Sequence, residues 1–204
     1  VFKVNTDGSG FTVLKHFAAV VYPANTNTDG ANPKSGLTLS GSTLYGTTYS
    51  GGSSGGGTVF QVNTNGSGYT VLKNFTGSDG ARPAAGLTLS GSTLYGTTSE
   101  GGSSNQGTVF KVNTDGSGYT VLKNFTSSEV ASPLAGVTFS GSTLYGTTQR
   151  AGSSGGGTVF KVNTDGSGFT VLKNFNFTGS DGASPYAGLT LSGSTLYGTT
   201  SSGG

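Results

Sequence analysis

The chain contains no cysteine, methionine or tryptophan, and only one histidine, His16. Without cysteine there is no disulfide framework, no thiolate metal site and no thiol nucleophile. A single histidine excludes any two-histidine metal site within one chain. Charged residues make up only 9% of the 204 residues: ten Lys plus Arg against eight Asp plus Glu, for a net charge of +2. No run or stripe of one sign appears, so the electrostatic footprint of a nucleic-acid binder is missing. No apolar run approaches the ~20 residues that a membrane-spanning helix needs. With no methionine, and with Val1 lying inside a repeated strand pattern, the sequence reads as a processed product, an excerpt or the ordered part of something longer.

What is abundant is glycine, 39 of 204 residues, well above the usual ~7%. That glycine sits in a repeat. Leu-Tyr-Gly-Thr-Thr occurs at 44–48, 94–98, 144–148 and 196–200, and Val-Phe-(Lys/Gln)-Val-Asn-Thr at 1–6, 59–64, 109–114 and 159–164. Most successive copies are about 50 residues apart, a period characteristic of blades and solenoids. Each unit parses into four short strands rich in Val, Thr, Phe and Tyr. Within one unit, Thr58–Asn63 and Tyr69–Phe75 are joined by Thr-Asn-Gly-Ser-Gly, and Leu87–Ser90 and Thr93–Thr98 by Gly91-Ser92, both hairpin turns. No helical apolar period is present.

In Tyr69–Phe75 the alternation puts Tyr69, Val71 and Phe75 on one face and Leu72 on the other, while Leu94 and Tyr95 point to opposite sides. Sheets apolar on both faces must be covered on both. The pattern therefore predicts an all-β chain, residues 1–204 forming one β-propeller domain of four blades with four antiparallel strands each. With the Gly-Leu-Thr-Leu-Ser strand counted first, residues 1–17 supply a third and a fourth strand and residues 188–200 a first and a second. The reading expects these two ends to pair and close the ring. The alternative is half of a larger or dimeric eight-bladed propeller.

The copies differ almost entirely in the connections opposite the two hairpin turns. Lys34, Tyr49, Arg82, Glu100, Glu129, Arg150 and Tyr186 are the distinctive residues there, and they form the candidate ligand face, since loops on a rigid scaffold commonly carry function. Asp29, Asp79, Glu129 and Asp181 hold equivalent places before the inner strand. Around a fourfold ring they would form a circle of oxygen ligands suited to Ca²⁺ or Na⁺, although Asp-Gly is a turn signal in itself. Asp7, Asp115 and Asp165 read as turn residues, because a calcium loop needs further carboxylates that are missing here. The G-x-S-x-G matches at 52–56 and 152–156 lack the strand–turn–helix context of a nucleophile elbow. His16 stands where other copies have asparagine, on an outer strand. Tyr45, Tyr95, Tyr145 and Tyr197 recur in every copy and read as packing between blades.

The ordered motifs G-x-V-F-K-V-N-x-D-G-S-x-[YF]-x-V-L-x-x-F, D-G-A-x-P-x-A-G-L and L-Y-G-T-T-x-x-G-G resemble the GloVer-type tandem repeat of choice-of-anchor proteins. The third copy departs from the pattern with Glu129-Val130-Ala131, and the first has a longer loop at Ala18–Thr28. The resemblance implies a secreted or surface bacterial protein and carries over no catalytic residues. Three functions follow as expectations. The first is a non-catalytic binding or adhesion module, extracellular or on the cell surface, directed at a glycan or another surface protein. The second is a structural spacer, and the third a glycan hydrolase or lyase working through a carboxylate pair. Monomer and dimer both remain open.

Overall fold

The computed structural model describes residues 1–126, 132–150, 152, 154–178 and 180–203. Among these, sixteen strands follow the repeat. The chain opens with β1 (Phe2–Lys3) and β2 (Thr12–Val13). The first full blade is β3 (Thr38–Ser40), β4 (Thr43–Thr48), β5 (Thr58–Asn63) and β6 (Thr70–Asn74). The second is β7 (Thr88–Ser90), β8 (Thr93–Thr98), β9 (Thr108–Asn113) and β10 (Thr120–Asn124). The third is β11 (Thr138–Ser140), β12 (Thr143–Thr148), β13 (Gly155–Asn163) and β14 (Thr170–Asn176). Last come β15 (Thr190–Ser192) and β16 (Thr195–Tyr197). In each full blade the four strands are antiparallel neighbours in chain order.

The central pair of each blade explains the glycine that recurs in every Leu-Tyr-Gly-Thr-Thr copy. Gly46 faces Phe60, Gly96 faces Phe110 and Gly146 faces Phe160 across the ladder. A methyl on Gly96 would lie 2.6 Å from Phe110 Cζ. Only a residue without a side chain lets the ring lie flat on its own sheet. The ring then meets one aromatic ring from the preceding blade and one from its own. Phe75, Phe110 and Tyr119 form one cluster, with centroids 5.2 to 6.1 Å apart, and Phe125, Phe160 and Phe169 another at 5.2 to 6.0 Å. These tilted and edge-on contacts suit the aromatic quadrupole. Around them close two cores, each built from one blade's Tyr45 or Tyr95 side and the next blade's Leu94 or Leu144 side.

Threonine hydroxyls bolt the same interfaces together. Thr47 Oγ1 donates to the Ala85 carbonyl at 3.0 Å, Thr97 to Ala135 at 2.9 Å and Thr147 to Ala187 at 3.0 Å. Thr38, Thr88 and Thr138 donate in the same way to Leu87, Val137 and Leu189. Tyr45 and Tyr95 are buried in the interblade cores, as packing residues should be, while Tyr197, at the open end, is exposed.

Two sequence expectations need correction. The ring does not close: β1–β2 and β15–β16 are separate two-stranded sheets that do not pair with each other. The blade-to-blade contacts repeat with the same partners at each interface, so those contacts set the step from one blade to the next. Three full blades and two halves do not bring the last sheet back to the first. The fold is an open, incomplete propeller-like array. The second correction concerns β6, where the register shifts so that Val71 pairs with Phe60 and Lys73 with Val59. Leu72 is the extra residue of a β-bulge, and a bulge reverses the in–out parity beyond it. Tyr69 therefore packs on Phe60 and Phe17 toward the preceding sheet, whereas Phe75 enters the core shared with the following blade.

Replacing Thr97 by valine keeps the shape but leaves the Ala135 carbonyl without its hydroxyl donor in a buried interface. Urea unfolding should show a loss of about 1–3 kcal/mol. Unchanged stability would mean that the hydroxyl bolt does not hold these blades together.

Candidate functional site

The two hairpin turns of each blade meet at one end of the sheet, where Thr64, Thr114 and Thr164 N–H donate to the Ser42, Ser92 and Ser142 carbonyls. These turns are stabilised locally. Asp7, Asp115 and Asp165 each accept from the backbone and hydroxyl of the serine two residues on, and Asn65 does the same for Ser67. An amide oxygen serves as well as a carboxylate, which is what an Asx-turn requires.

At the opposite end the variable connections come together. The residue before the proline that leads into each first strand—Asn32, Arg82, Ser132 or Ser184—adopts a left-handed φ of 56° to 58°. Such a conformation is costly for a non-glycine residue. Backbone bonds pin it in every repeat: Tyr49, Ser99, Gln149 and Ser201 N–H donate to the carbonyls of Asn32, Arg82, Ser132 and Ser184. A fixed backbone thus presents a side chain that changes from copy to copy.

Four of the candidate residues meet between the first and second blades. The Lys34 ammonium lies 3.5 Å from the Tyr49 ring centroid, with the Arg82 guanidinium 5.7 Å from the same ring. Arg82 Nη1 donates to Glu100 Oε1 at 2.6 Å. Partial burial would lower the Arg82 pKa, but Glu100 and the Tyr49 side chain outweigh it and hold it above its ordinary value. Tyr186 stands apart from this group, half exposed, its hydroxyl accepting from Gln149 Nε2 at 2.5 Å. Arg150 is exposed, as is His16 on its outer segment, and Glu129 lies outside the described residues. Gln149 was not among the expected site residues; its place in a variable loop was the available signal.

Of the acids expected to ring a channel mouth, the described Asp29, Asp79 and Asp181 each pair with a lysine. Lys15 Nζ meets Asp29 Oδ2 at 2.5 Å, and Lys73 and Lys173 pair likewise with Asp79 and Asp181. Among the described residues, no group of three His, Cys, Asp or Glu side chains is placed to hold a metal ion. Each carboxylate also caps its own loop, Asp29 accepting from Ala18 N–H and Asp79 from Thr76 N–H. The lysine ammonium groups lie over aromatic rings of the following blade, Lys15 Nζ 4.3 Å from the Tyr69 centroid and Lys73 Nζ 4.2 Å from that of Tyr119. The hydroxyls of those tyrosines donate to the Asp29 and Asp79 carbonyls. Burial, reinforced by the nearby aspartate charge, raises both phenols above their ordinary pKa. In the third blade the equivalent ring is Phe169, which has no hydroxyl to donate, and the same repeat carries Glu129-Val130-Ala131 in place of Asp-Gly-Ala. These lysine partners were legible as Lys15, Lys73 and Lys173, which recur in the Val-Leu-Lys segment of successive copies.

For Asp79, burial raises the carboxyl pKa, but the Lys73 ammonium and the Thr76 bonds outweigh it, and the net shift is downward from 3.8. A carboxyl held below its unfolded value stabilises the fold above that value, and the stabilisation is lost as pH falls through the folded one. Unfolding midpoints should therefore drop as pH falls below about 4. Asp79→Asn should lower stability at neutral pH and make the acid limb shallower. Parallel acid limbs for the two proteins would contradict the assignment.

With this geometry in view, the comparisons with known proteins are informative about fold. One chain of a nidogen/laminin complex superposes with a TM-score of 0.52 at 18% identity, covering 72% of this chain and 48% of its own length. A putative TolB from Agrobacterium tumefaciens gives 0.50 at 14% identity, covering 84% and 55%. TolB from Acinetobacter baumannii gives 0.52 at 11%, covering 90% and 38%. At such identities the likeness is one of fold alone, and this chain spans about half or less of each of those chains. No curated protein matches it in sequence. The repeat pattern itself matches over residues 1–204, and the chain belongs to the Gloeobacter/Verrucomicrobia repeat family.

Proposed function

We propose that the chain is a non-catalytic structural repeat module, a rigid surface scaffold that turns one variable loop face toward an extracellular or cell-surface partner. The observation that carries this reading is where the polar chemistry is spent. The threonine hydroxyls tie blade to blade, and the Asp29, Asp79 and Asp181 carboxylates tie loop to strand, at equivalent positions in successive repeats. Acid–base catalysis needs groups whose surroundings drive their pKa values apart. Here the same lysine meets the same aspartate each time, which favours architecture over turnover. Among the described residues no helix is long and apolar enough to cross a membrane. The surface setting is supported by the repeat motifs, which resemble those of secreted and surface proteins.

A glycan ligand is the second reading, and one feature favours it. Tyr186 is 51% exposed and carries the Gln149 amide at its hydroxyl, an aromatic face beside hydrogen-bonding groups. Such a pairing suits the apolar face and the hydroxyls of a sugar. Tyr49 suits it less, because the Lys34 ammonium already occupies its ring face.

The labelled chain should be applied to a glycan array and, in parallel, to a panel of glycan hydrolysis assays. The scaffold reading expects neither retention nor product release. Saturable glycan binding that Tyr186→Ala removes, with unfolding unchanged within ~0.5 kcal/mol as for ordinary surface substitutions, would establish the second reading instead. Turnover would overturn both.

A further inference from the structure

One of the four Asx-turns differs from the rest. Asp7, Asp115 and Asp165 stand where the first full blade has Asn65, and Asn65-Gly66 is the one Asn-Gly in the sequence. The turn joins β5 to β6 inside a complete blade. Gly66 N–H donates to the Asn63 carbonyl at 2.8 Å, which makes a β-turn with Asn65 in its third position. Gly66 carries no Cβ, so no side chain screens its backbone nitrogen from the group that precedes it. Asn65 Oδ1 accepts from Ser67 N–H at 2.9 Å and from Ser67 Oγ at 2.8 Å. Two donors on one carbonyl oxygen draw electrons from Cγ and hold the negative charge that builds on the oxygen when a nucleophile adds there. Asn65 is exposed, and among the described residues no hydrogen bond holds its Nδ2. The neighbouring asparagines are built otherwise. Asn5, Asn63, Asn113 and Asn163 each donate through Nδ2 to a serine hydroxyl at 3.0 to 3.1 Å, and each is followed by threonine.

We propose that Asn65 is a self-modification site: in the folded protein its side-chain amide is displaced by the Gly66 nitrogen and then by water, leaving aspartate. Hydroxide takes the Gly66 amide proton, the Gly66 nitrogen bonds to Asn65 Cγ, and the Cγ–Nδ2 bond breaks. The departing nitrogen takes a proton from water and leaves as ammonia, so a cyclic imide remains and the hydroxide is regenerated. Water then adds at Cγ, the bond between Cγ and the Gly66 nitrogen breaks, and that nitrogen recovers a proton. In sum, an amide and water give a carboxylic acid and ammonia, with no oxidant or reductant. The Gly66 N–H lost in the imide is restored in the product, and with it the bond to the Asn63 carbonyl.

The fold selects between the two products of the imide. Water adding at the main-chain carbonyl instead of Cγ would route the backbone through the side chain, as isoaspartate. That inserts one more carbon into the main chain between Asn63 and Ser67, where the Asn63 N–H and the Ser67 carbonyl are bonded at 2.9 Å. Aspartate meets no such misfit. Asp7, Asp115 and Asp165 already make the same two serine bonds in the sister turns, at 2.7 to 2.9 Å. The conversion also ends there. The serine bonds hold the sister carboxyls below their ordinary pKa, because donors to a carboxylate favour its charged form. An ionised carboxylate repels a nucleophile, whereas the Asn65 amide is neutral. Conversion makes the four turns alike and takes the chain from ten cations against eight acids to ten against nine, from +2 to +1.

Incubating the folded chain at mildly alkaline pH, beside the same chain unfolded in urea, tests this. Peptide mass spectrometry locates each converted residue, and electron-based fragmentation separates aspartate from isoaspartate. The folded chain should convert at Asn65, at a rate that rises in proportion to hydroxide. Isoelectric focusing should show a single acidic step, and the melting temperature should not move. The share of isoaspartate should be smaller than in the urea-unfolded chain. Asn65→Ser, whose hydroxyl can close the turn but cannot form the imide, should show no acidic step. The inference is overturned if Asn65 keeps its amide in the folded chain, or if other asparagines convert as fast. It is equally overturned if Asn65→Ser acquires the same acidic step, or if folding leaves the share of isoaspartate as high as in urea.

Discussion

The fold depends on a phenyl ring seated on a glycine. Phe60, Phe110 and Phe160 lie across the ladder from Gly46, Gly96 and Gly146, and nothing larger than a hydrogen fits beneath them. This one contact flattens the ring onto its own sheet and leaves its outer face free for Phe17, Phe75 or Phe125 of the preceding fourth-strand segment. Burying a large aromatic is worth several kcal/mol. In a chain with no isoleucine, methionine or tryptophan, these rings provide much of the large apolar surface available to the core. Threonine hydroxyls then fix the spacing that the rings define.

Because every interface is made in the same way, variation is confined to where it costs little. The hairpin-turn end repeats almost unchanged, as its Asx-turns and reciprocal backbone bonds demand. The other end is equally fixed in backbone, down to the left-handed residues Asn32, Arg82, Ser132 and Ser184, yet free in side chain. Lys34, Tyr49, Arg82 and Glu100 form a contact group only because adjacent repeats carry different residues at equivalent places. Such a face is chemically individual although the scaffold beneath it is periodic.

Much of this was legible in the sequence. A 50-residue period, hairpin turns and β-rich composition specify sixteen strands, and the observed β5 and β8 match their expected bounds residue for residue. What was not legible depended on parity and on partners. The bulge at Leu72 leaves no composition signal, yet it sends Tyr69 and Phe75 to opposite faces. Closure failed as an expectation because strand counting fixes the number of half-blades and not the step between blades. The acid ring was drawn from equivalent positions alone, whereas Lys15, Lys73 and Lys173 reach those carboxylates from within their own repeats. Equivalent positions share an environment, and here that environment includes a cation.

The central claim, that the ring-on-glycine seat organises the blade, is tested most directly by a double-mutant cycle on Gly96 and Phe110. Gly96 does not have a positive φ, so Gly96→Ala strains only the packing, through a methyl 2.6 Å from Phe110 Cζ and 2.9 Å from Leu87 Cδ2. Phe110→Leu removes the ring that this methyl strikes. Equilibrium unfolding of the wild type, the two single variants and the double variant should show the pair costing at least ~0.5 kcal/mol less than the sum of its parts, the signature of residues in contact. Additive losses would mean that the glycine is there for some other reason and that the seat does not hold the blade.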